Sequence, residues 1–107
     1  MLSIVLPAKN EAAALATLLP RLRQAQPDAE IIVVDDGSTD DTAALCVEHG
    51  VKVARQPYSM GNGAAIKRGT REASGDVLVF MDADGQHDPA LIARLLARLD
   101  EGYDMVV

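Results

Sequence analysis

The run Ile31-Ile32-Val33-Val34 is β-branched throughout and stops abruptly at Asp35-Asp36-Gly37. Successive side chains on a strand point to opposite faces, so a run apolar at every position is buried on both sides. That is the mark of an inner strand of a parallel sheet with helices on each face. Three further runs repeat the theme: Leu2 to Leu6, Val51 to Ala54, and Val77 to Met81. Between them lie amphipathic segments. Leu15, Leu18, Leu19 and Leu22 recur at three- and four-residue spacing after Asn10, a natural N-cap, with Pro20 expected to kink or shorten that helix. Ser38 is placed to cap a second helix that Gly50 ends. Gly61-Asn62-Gly63 opens a third helix that ends at Gly75, with Ala65, Gly69 and Ala73 as a small-residue face for close packing on a sheet. Asp88 with Pro89 starts a fourth helix that Gly102 ends, and Tyr103 to Val107 begins a fifth strand. The expected order is β-α-β-α-β-α-β-α-β, an α/β fold with a doubly wound, mostly parallel sheet.

At 107 residues the chain holds one domain, long enough to bury a core without disulfide support. Its single cysteine, Cys46, lies among Ala43, Ala44, Leu45 and Val47 and is read as a small core residue. The net charge of -6 is the wrong sign for coating a phosphate polymer. Only three aromatic residues occur, Tyr58, Phe80 and Tyr103, too few for stacking platforms, so nucleic acid is not expected as a partner. No run is long enough to cross a bilayer and the first residues are strand-like, with no leader pattern. The expected setting is cytoplasmic, with the cytoplasmic face of a membrane as the site of any attached parent protein.

In sheets of this type ligands bind outside the carboxyl ends of the strands, where the strand order reverses. Pro7 to Glu11, Asp35 with Asp36, and Asp82 with Asp84 follow three of the strands and should face one crevice. The turn after the first strand has no glycine, which removes the simple dinucleotide reading, and no Gly-Lys-Ser or Gly-Lys-Thr of a P-loop occurs. Eight of the sixteen acids fall in two short windows, Asp35 to Asp41 and Asp76 to Asp88, a clustering that repels itself unless a cation relieves it. Asp82-Ala83-Asp84 is the sharpest of these. Two carboxylates on one side of an extended segment, with an amide oxygen from Gln86, suit Mg²⁺ or Mn²⁺ and leave positions open for diphosphate oxygens. Taken alone, the same residues also suit a turn after a strand. Asp35 and Asp36 are placed either to accept hydrogen bonds from a nucleoside or simply to lead into a helix. Glu11 serves equally well as a favourable charge in a helix's first turn. Lys67, Arg68 and Arg71 read as a solvated helix face, with phosphate contact as the alternative, and His49 as a contact at a helix end. His87, beside a cap, reads as structural or solvent-facing, with contact to metal or phosphate as the alternative.

Together, Pro7-Ala8-Lys9-Asn10-Glu11, Val33 through Asp40, Gly61-Asn62-Gly63-Ala64-Ala65, and Ala73 through His87 resemble the family 2 glycosyltransferases of GT-A fold. The segment Asp82 to Pro89 is most similar to the dolichyl-phosphate mannose synthase and polyprenyl-phosphate glycosyltransferase branch. The resemblance implies that Pro7, Ala8, Glu11, Asp35 and Asp36 line the base and ribose pocket of a nucleotide-sugar. It implies that Asp82, Asp84 and Gln86 hold a divalent metal on the diphosphate, with Asp82 also touching the donor. The implied reaction is inverting transfer of a hexose, from a donor of the GDP-mannose or UDP-glucose type, to an acceptor such as polyprenyl phosphate or a saccharide. Lys9 stands where family members often carry an aromatic or uncharged residue. The resemblance further implies that the acceptor half and catalytic base lie beyond residue 107, so the chain is expected to be a donor-binding part. The alternative expectation is a catalytically incomplete module that binds a nucleotide or a partner subunit. A phosphoacceptor signalling domain is disfavoured, since Lys9-Asn10 and Arg55-Gln56 occupy the places of its acids. Strand residues Met105 to Val107, left uncovered, would favour a homodimer.

Overall fold

A computed structural model describes residues 2–83 together with positions 92, 94 and 97. Its elements are β1 (Leu2–Ala8), α1 (Ala12–Ala25), β2 (Glu30–Asp36), α2 (Thr42–Glu48), β3 (Lys52–Gln56), α3 (Asn62–Glu72) and β4 (Val77–Phe80). The four strands form one parallel sheet in the order β3-β2-β1-β4. The expected α/β architecture is therefore present. The fourth helix and the strand at 103–107, with the dimer edge inferred from it, lie outside the described residues.

The apolar-on-both-faces pattern of β1 and β2 is satisfied by two separate cores. Ile4, Leu6 and Ala8 of β1 and Ile31 and Val33 of β2 pack with Leu15, Leu18, Leu19 and Leu22 of α1 and Cys46 of α2. The alternate residues, Val5, Ile32 and Val34, meet Ala54 and Ala65 under α3. Helices α1 and α2 thus cover one face and α3 the other. The first two crossovers stay on one side while the third carries the chain across the sheet, so β4 pairs with β1 instead of β3. This puts the reversal of strand order between β1 and β4.

Several element boundaries differ from expectation, each for a local reason. Pro20 sits inside α1 without shortening it; the helix runs through 14 residues, held by four buried leucines. Ser38 does not cap α2, which begins at Thr42, because its hydroxyl accepts the Asn10 N–H across the adjoining loop at 2.9 Å. Asn10 likewise is not the cap of α1 and adopts φ 56°, its side chain turned to the β2-α2 loop. Helix α3 ends at Glu72, three residues before Gly75, and its Ala73 N–H bonds back to Gly69. Cys46 is fully buried, and burial together with the Asp35 charge pushes its thiol up to about 11, so it is a core residue and a poor nucleophile. Among the described residues no helix is long and apolar enough to cross a membrane.

The small-residue face of α3 is a steric requirement. A Cβ at Gly69 would intrude on Val5 Cγ1 and lie 3.3 Å from Val34 Cγ2, both rigid β-branched side chains at the centre of the sheet. Helix propensity alone would make Gly69→Ala favourable by about 1 kcal/mol, but overpacking costs about 1–3 kcal/mol and should win. We expect Gly69→Ala to lower the urea midpoint. Combining it with Val5→Ala should cost less than the sum of the two single changes, because the second vacates the space the first needs. Additive losses would show that the helix does not press on Val5.

Candidate functional site

Strands β1, β2 and β4 end side by side, and the loops that follow them enclose a cleft of about 260 Å³ lined by Pro7, Ala8, Lys9, Glu11, Asp36, Ala65, Asp82 and Ala83. It opens at the switch point between β1 and β4, where the doubly wound topology makes the flanking loops diverge. Five of the expected site residues, Pro7, Ala8, Glu11, Asp36 and Asp82, are brought together there. Asp35 is not among the lining residues, and Asp84 and Gln86 lie outside the described residues. Lys9 lines the cleft as part of the Pro7 to Glu11 segment expected there, whereas Ala65 and Ala83 were not singled out as lining. Ala65 could have been found from its membership of the small-residue face, and Ala83 from its place between Asp82 and Asp84.

The loops that form the cleft wall are tied to one another by side chains acting on backbone groups. The Asn10 N–H donates to Ser38 Oγ at 2.9 Å, the Glu11 N–H to Thr42 Oγ1 at 3.2 Å, and the Ala12 N–H to Asp40 Oδ2 at 3.3 Å. In return Asn10 Oδ1 accepts the N–H groups of Thr39 at 2.8 Å and Asp40 at 3.3 Å. The unpaired N–H groups at the start of α1 are thus satisfied by residues some thirty positions later in the chain. Asp40 also accepts from the Thr42 N–H and hydroxyl. The Thr42 hydroxyl bond leads the contacts that hold the Asp40 carboxyl below its ordinary value.

Asp36 forms the opposite wall. Its Oδ1 accepts the Met60 N–H at 2.8 Å, and its Oδ2 accepts the Gly61 N–H at 3.1 Å and the Ser59 hydroxyl at 3.2 Å. Burial alone would push this carboxyl up, but the three donors and the nearby Lys9 charge outweigh it, and the result lies below the ordinary value. The neighbouring Gly37 at φ +75° lets the loop at Tyr58 and Ser59 come close; a Cβ there would stand 2.6 Å from the Ser59 nitrogen. Asp35 is only 1% exposed, its Oδ1 accepting the Ser38 N–H at 2.9 Å. Its Oδ2 receives no hydrogen bond among the described residues and faces Arg55 Nε at 3.5 Å.

These features define the class: an open parallel α/β domain whose loop cleft, rich in carboxylates, lies at the strand-order reversal. Comparison with known proteins then gives the family. The profile described as "Glycosyl transferase family 2" matches residues 3–107, and the chain belongs to that family. A dolichol-phosphate mannosyltransferase of Pyrococcus furiosus is 40% identical, with the match covering 98% of this chain and 32% of that protein. An undecaprenyl-phosphate 4-deoxy-4-formamido-L-arabinose transferase of Pseudomonas fluorescens is 39% identical over 97% of this chain and 34% of its own. The chain spans about a third of the length of these curated relatives. Among solved structures, glucosyl-3-phosphoglycerate synthase from Mycobacterium tuberculosis in complex with uridine diphosphate superposes with a TM-score of 0.81 at 32% identity. That superposition covers 95% of this chain and 40% of the other. The same synthase with Mn²⁺ and UDP-glucose gives a TM-score of 0.80 at 32% identity, with the same coverage.

The Asp36 clasp carries a pH dependence whose sign follows from its lowered pKa. A carboxylate depressed in the folded state contributes stability that is complete above its unfolded pKa and is lost as pH falls through the folded value. The ordinary value is 3.8, so the contribution should be intact at pH 6 and fade below about pH 3.8. Asp36→Asn should cost about 1–3 kcal/mol at pH 6, since its amide cannot accept every bond the carboxylate does. The gap in urea midpoint between this variant and the parent chain should narrow as the solution is acidified below that point. A gap that is constant with pH would mean that the carboxylate charge does not hold the loop.

Proposed function

We propose that this chain is the donor-binding part of an inverting, metal-dependent glycosyltransferase that moves a hexose from a nucleotide-sugar to polyprenyl phosphate. The observation that carries the proposal is the convergence of Glu11, Asp36 and Asp82 on one cleft at the β1/β4 switch point, in a chain of this family. Support for the acceptor class comes from the two relatives, whose names specify dolichol phosphate and undecaprenyl phosphate. The donor class and the metal draw support from the synthase complexes with UDP-glucose and Mn²⁺.

In this reading the apolar lining residues Pro7, Ala8, Ala65 and Ala83 flank the base. Glu11 accepts hydrogen bonds from donor hydroxyls, Asp36 holds the cleft wall in place beside the nucleoside, and the Lys9 ammonium offsets part of the negative charge. Among the described residues no three His, Cys, Asp or Glu side chains are grouped to hold a metal, so the described contribution is the exposed carboxylate of Asp82. A carboxylate beside the cleft is a hard oxygen donor and fits Mg²⁺ or Mn²⁺, which also draw ligands from the phosphates of a bound nucleotide. Asp84 and Gln86 complete the set proposed to hold it. When bound, the ion supplies Lewis acidity to the departing nucleoside diphosphate while the acceptor oxygen attacks the anomeric carbon from the opposite side.

Calorimetry with UDP and with GDP, each with and without Mn²⁺, tests this. Binding of at least one nucleotide should depend on the metal, and Asp82→Asn, shown to be folded by circular dichroism, should weaken the metal-dependent affinity by more than about tenfold. A folded chain that binds neither nucleotide, or binds equally well without the ion, would overturn the reading.

A further inference from the structure

The cations of this acidic chain are not spread evenly. Residues 49–71 carry five of the ten Lys and Arg, namely Lys52, Arg55, Lys67, Arg68 and Arg71, and none of the sixteen Asp and Glu. This stretch is the turn after α2, β3, the loop after it, and all but the last residue of α3. Ala65 and Gly69 face the sheet, so Lys67 and Arg71, each two positions further on and about 200° around the helix, project from the side turned away from it. Both are exposed. Arg68 lies on the flank toward β3, where its guanidinium reaches the Arg55 carbonyl and Gln56 Oε1, and Glu72 accepts from it at 3.2 Å. Glu72 also takes Lys52 at 3.6 Å. Arg55 reaches the buried Asp35 but keeps 66% of its side chain in solvent. In the loop that leads into α3, Tyr58 is 65% exposed and Met60 46% exposed.

We propose that the outward face of α3, with the 57–61 loop and the β3 edge, docks on an anionic lipid bilayer. Clustered Lys and Arg are drawn to a negatively charged lipid surface, and an exposed tyrosine and methionine beside them suit the headgroup boundary, where one part of a side chain is wet and another apolar. Such exposed side chains favour lipid over an acidic polypeptide, which would need only the charges. The chain's overall charge of -6 does not oppose this. Residues 49–71 contain no acid, and the carboxylates beside them, Glu72, Asp35 and Asp36, are already paired with cations or hydrogen-bond donors of this same layer. The docking rests on the proposed function only in that a polyprenyl-phosphate acceptor resides in a bilayer. Its test contains no nucleotide, so failure here and failure of donor binding are read separately.

The test is co-sedimentation of the 107-residue chain with vesicles of phosphatidylcholine alone and of equimolar phosphatidylcholine and phosphatidylglycerol. The chain should sediment with the anionic vesicles, remain free of the neutral ones, and be released by added salt. Lys67→Gln and Arg71→Gln should each lower the partition about fivefold, with losses that multiply in the pair. Arg21→Gln removes the same charge from α1 and should leave the partition unchanged. Tyr58→Ser with Met60→Ser should lower the part that resists salt. Circular dichroism establishes that each variant is folded, and the single Lys67→Gln change serves if the pair is not. Absence from anionic vesicles, an equal loss with Arg21→Gln, or tighter retention on poly-glutamate than on the vesicles would each overturn the proposal, the last in favour of an acidic protein partner.

Discussion

The two-sided burial of β1 and β2 governs the rest of the structure. Val5, Ile32 and Val34 face α3 while Ile4, Leu6, Ile31 and Val33 face α1 and α2. At about 25 cal/mol per Å² of apolar surface, exposing either set would forfeit the greater part of a small domain's stability. Both faces therefore need a helical layer, and a chain that has laid α1 and α2 on one face must send α3 to the other. That crossing brings β4 beside β1 and parts the loops that follow them. The cleft is thus a by-product of covering the sheet, and the polar residues of the loops are what give it chemical character.

Keeping a cleft open at the end of a parallel sheet leaves backbone N–H groups and carboxylates without regular partners. Here they satisfy one another. Asn10, Ser38, Asp40 and Thr42 close the β1 and β2 loops into one unit, and Asp36 secures the loop before α3 through two backbone N–H groups and a hydroxyl. Each such bond contributes only about 1 kcal/mol net, but leaving a buried carboxylate unpaired would cost several times that. The same bonds that hold the Asp36 carboxyl below its ordinary value therefore also fix the cleft wall, so local stability and site geometry share one origin.

How much of this could be read from the sequence depended on the range of the interaction concerned. The strands were legible because β-branched runs and abrupt Asp endings are contiguous, and the small face of α3 because Ala65, Gly69 and Ala73 keep helical spacing. The grouping of Pro7, Ala8, Glu11, Asp36 and Asp82 followed from a topological rule applied to strand ends. Asn10 and Ser38 were assigned to the nearest helix start, since capping is ordinarily local. Their actual partners are 28 to 30 residues away, and no window along the chain contains them. Asp36 lines the cleft as expected, but its hold on the loop before α3 was not legible, since its three donors come from positions 59 to 61. Pro20 misled differently, because four buried leucines outweigh the one backbone bond that proline removes.

The distribution of charge links the cleft to the surface of α3. Carboxylates collect where the strands end, and cations collect on the layer that crosses to the second face, so one molecule carries two oppositely charged surfaces without their cancelling. Helix α3 belongs to both. Ala65, in its first turn, lines the cleft, whereas Lys67 and Arg71 stand on its outer side. Eleven residues at about 1.5 Å each make this helix roughly 16 Å long, so no part of the basic face is far from the cleft. A bilayer in contact with α3 would therefore lie within one helix length of Asp36 and Asp82. Under the proposed function and docking, the acceptor phosphate at the lipid headgroups and the donor in the cleft would be served by two sides of the same helix.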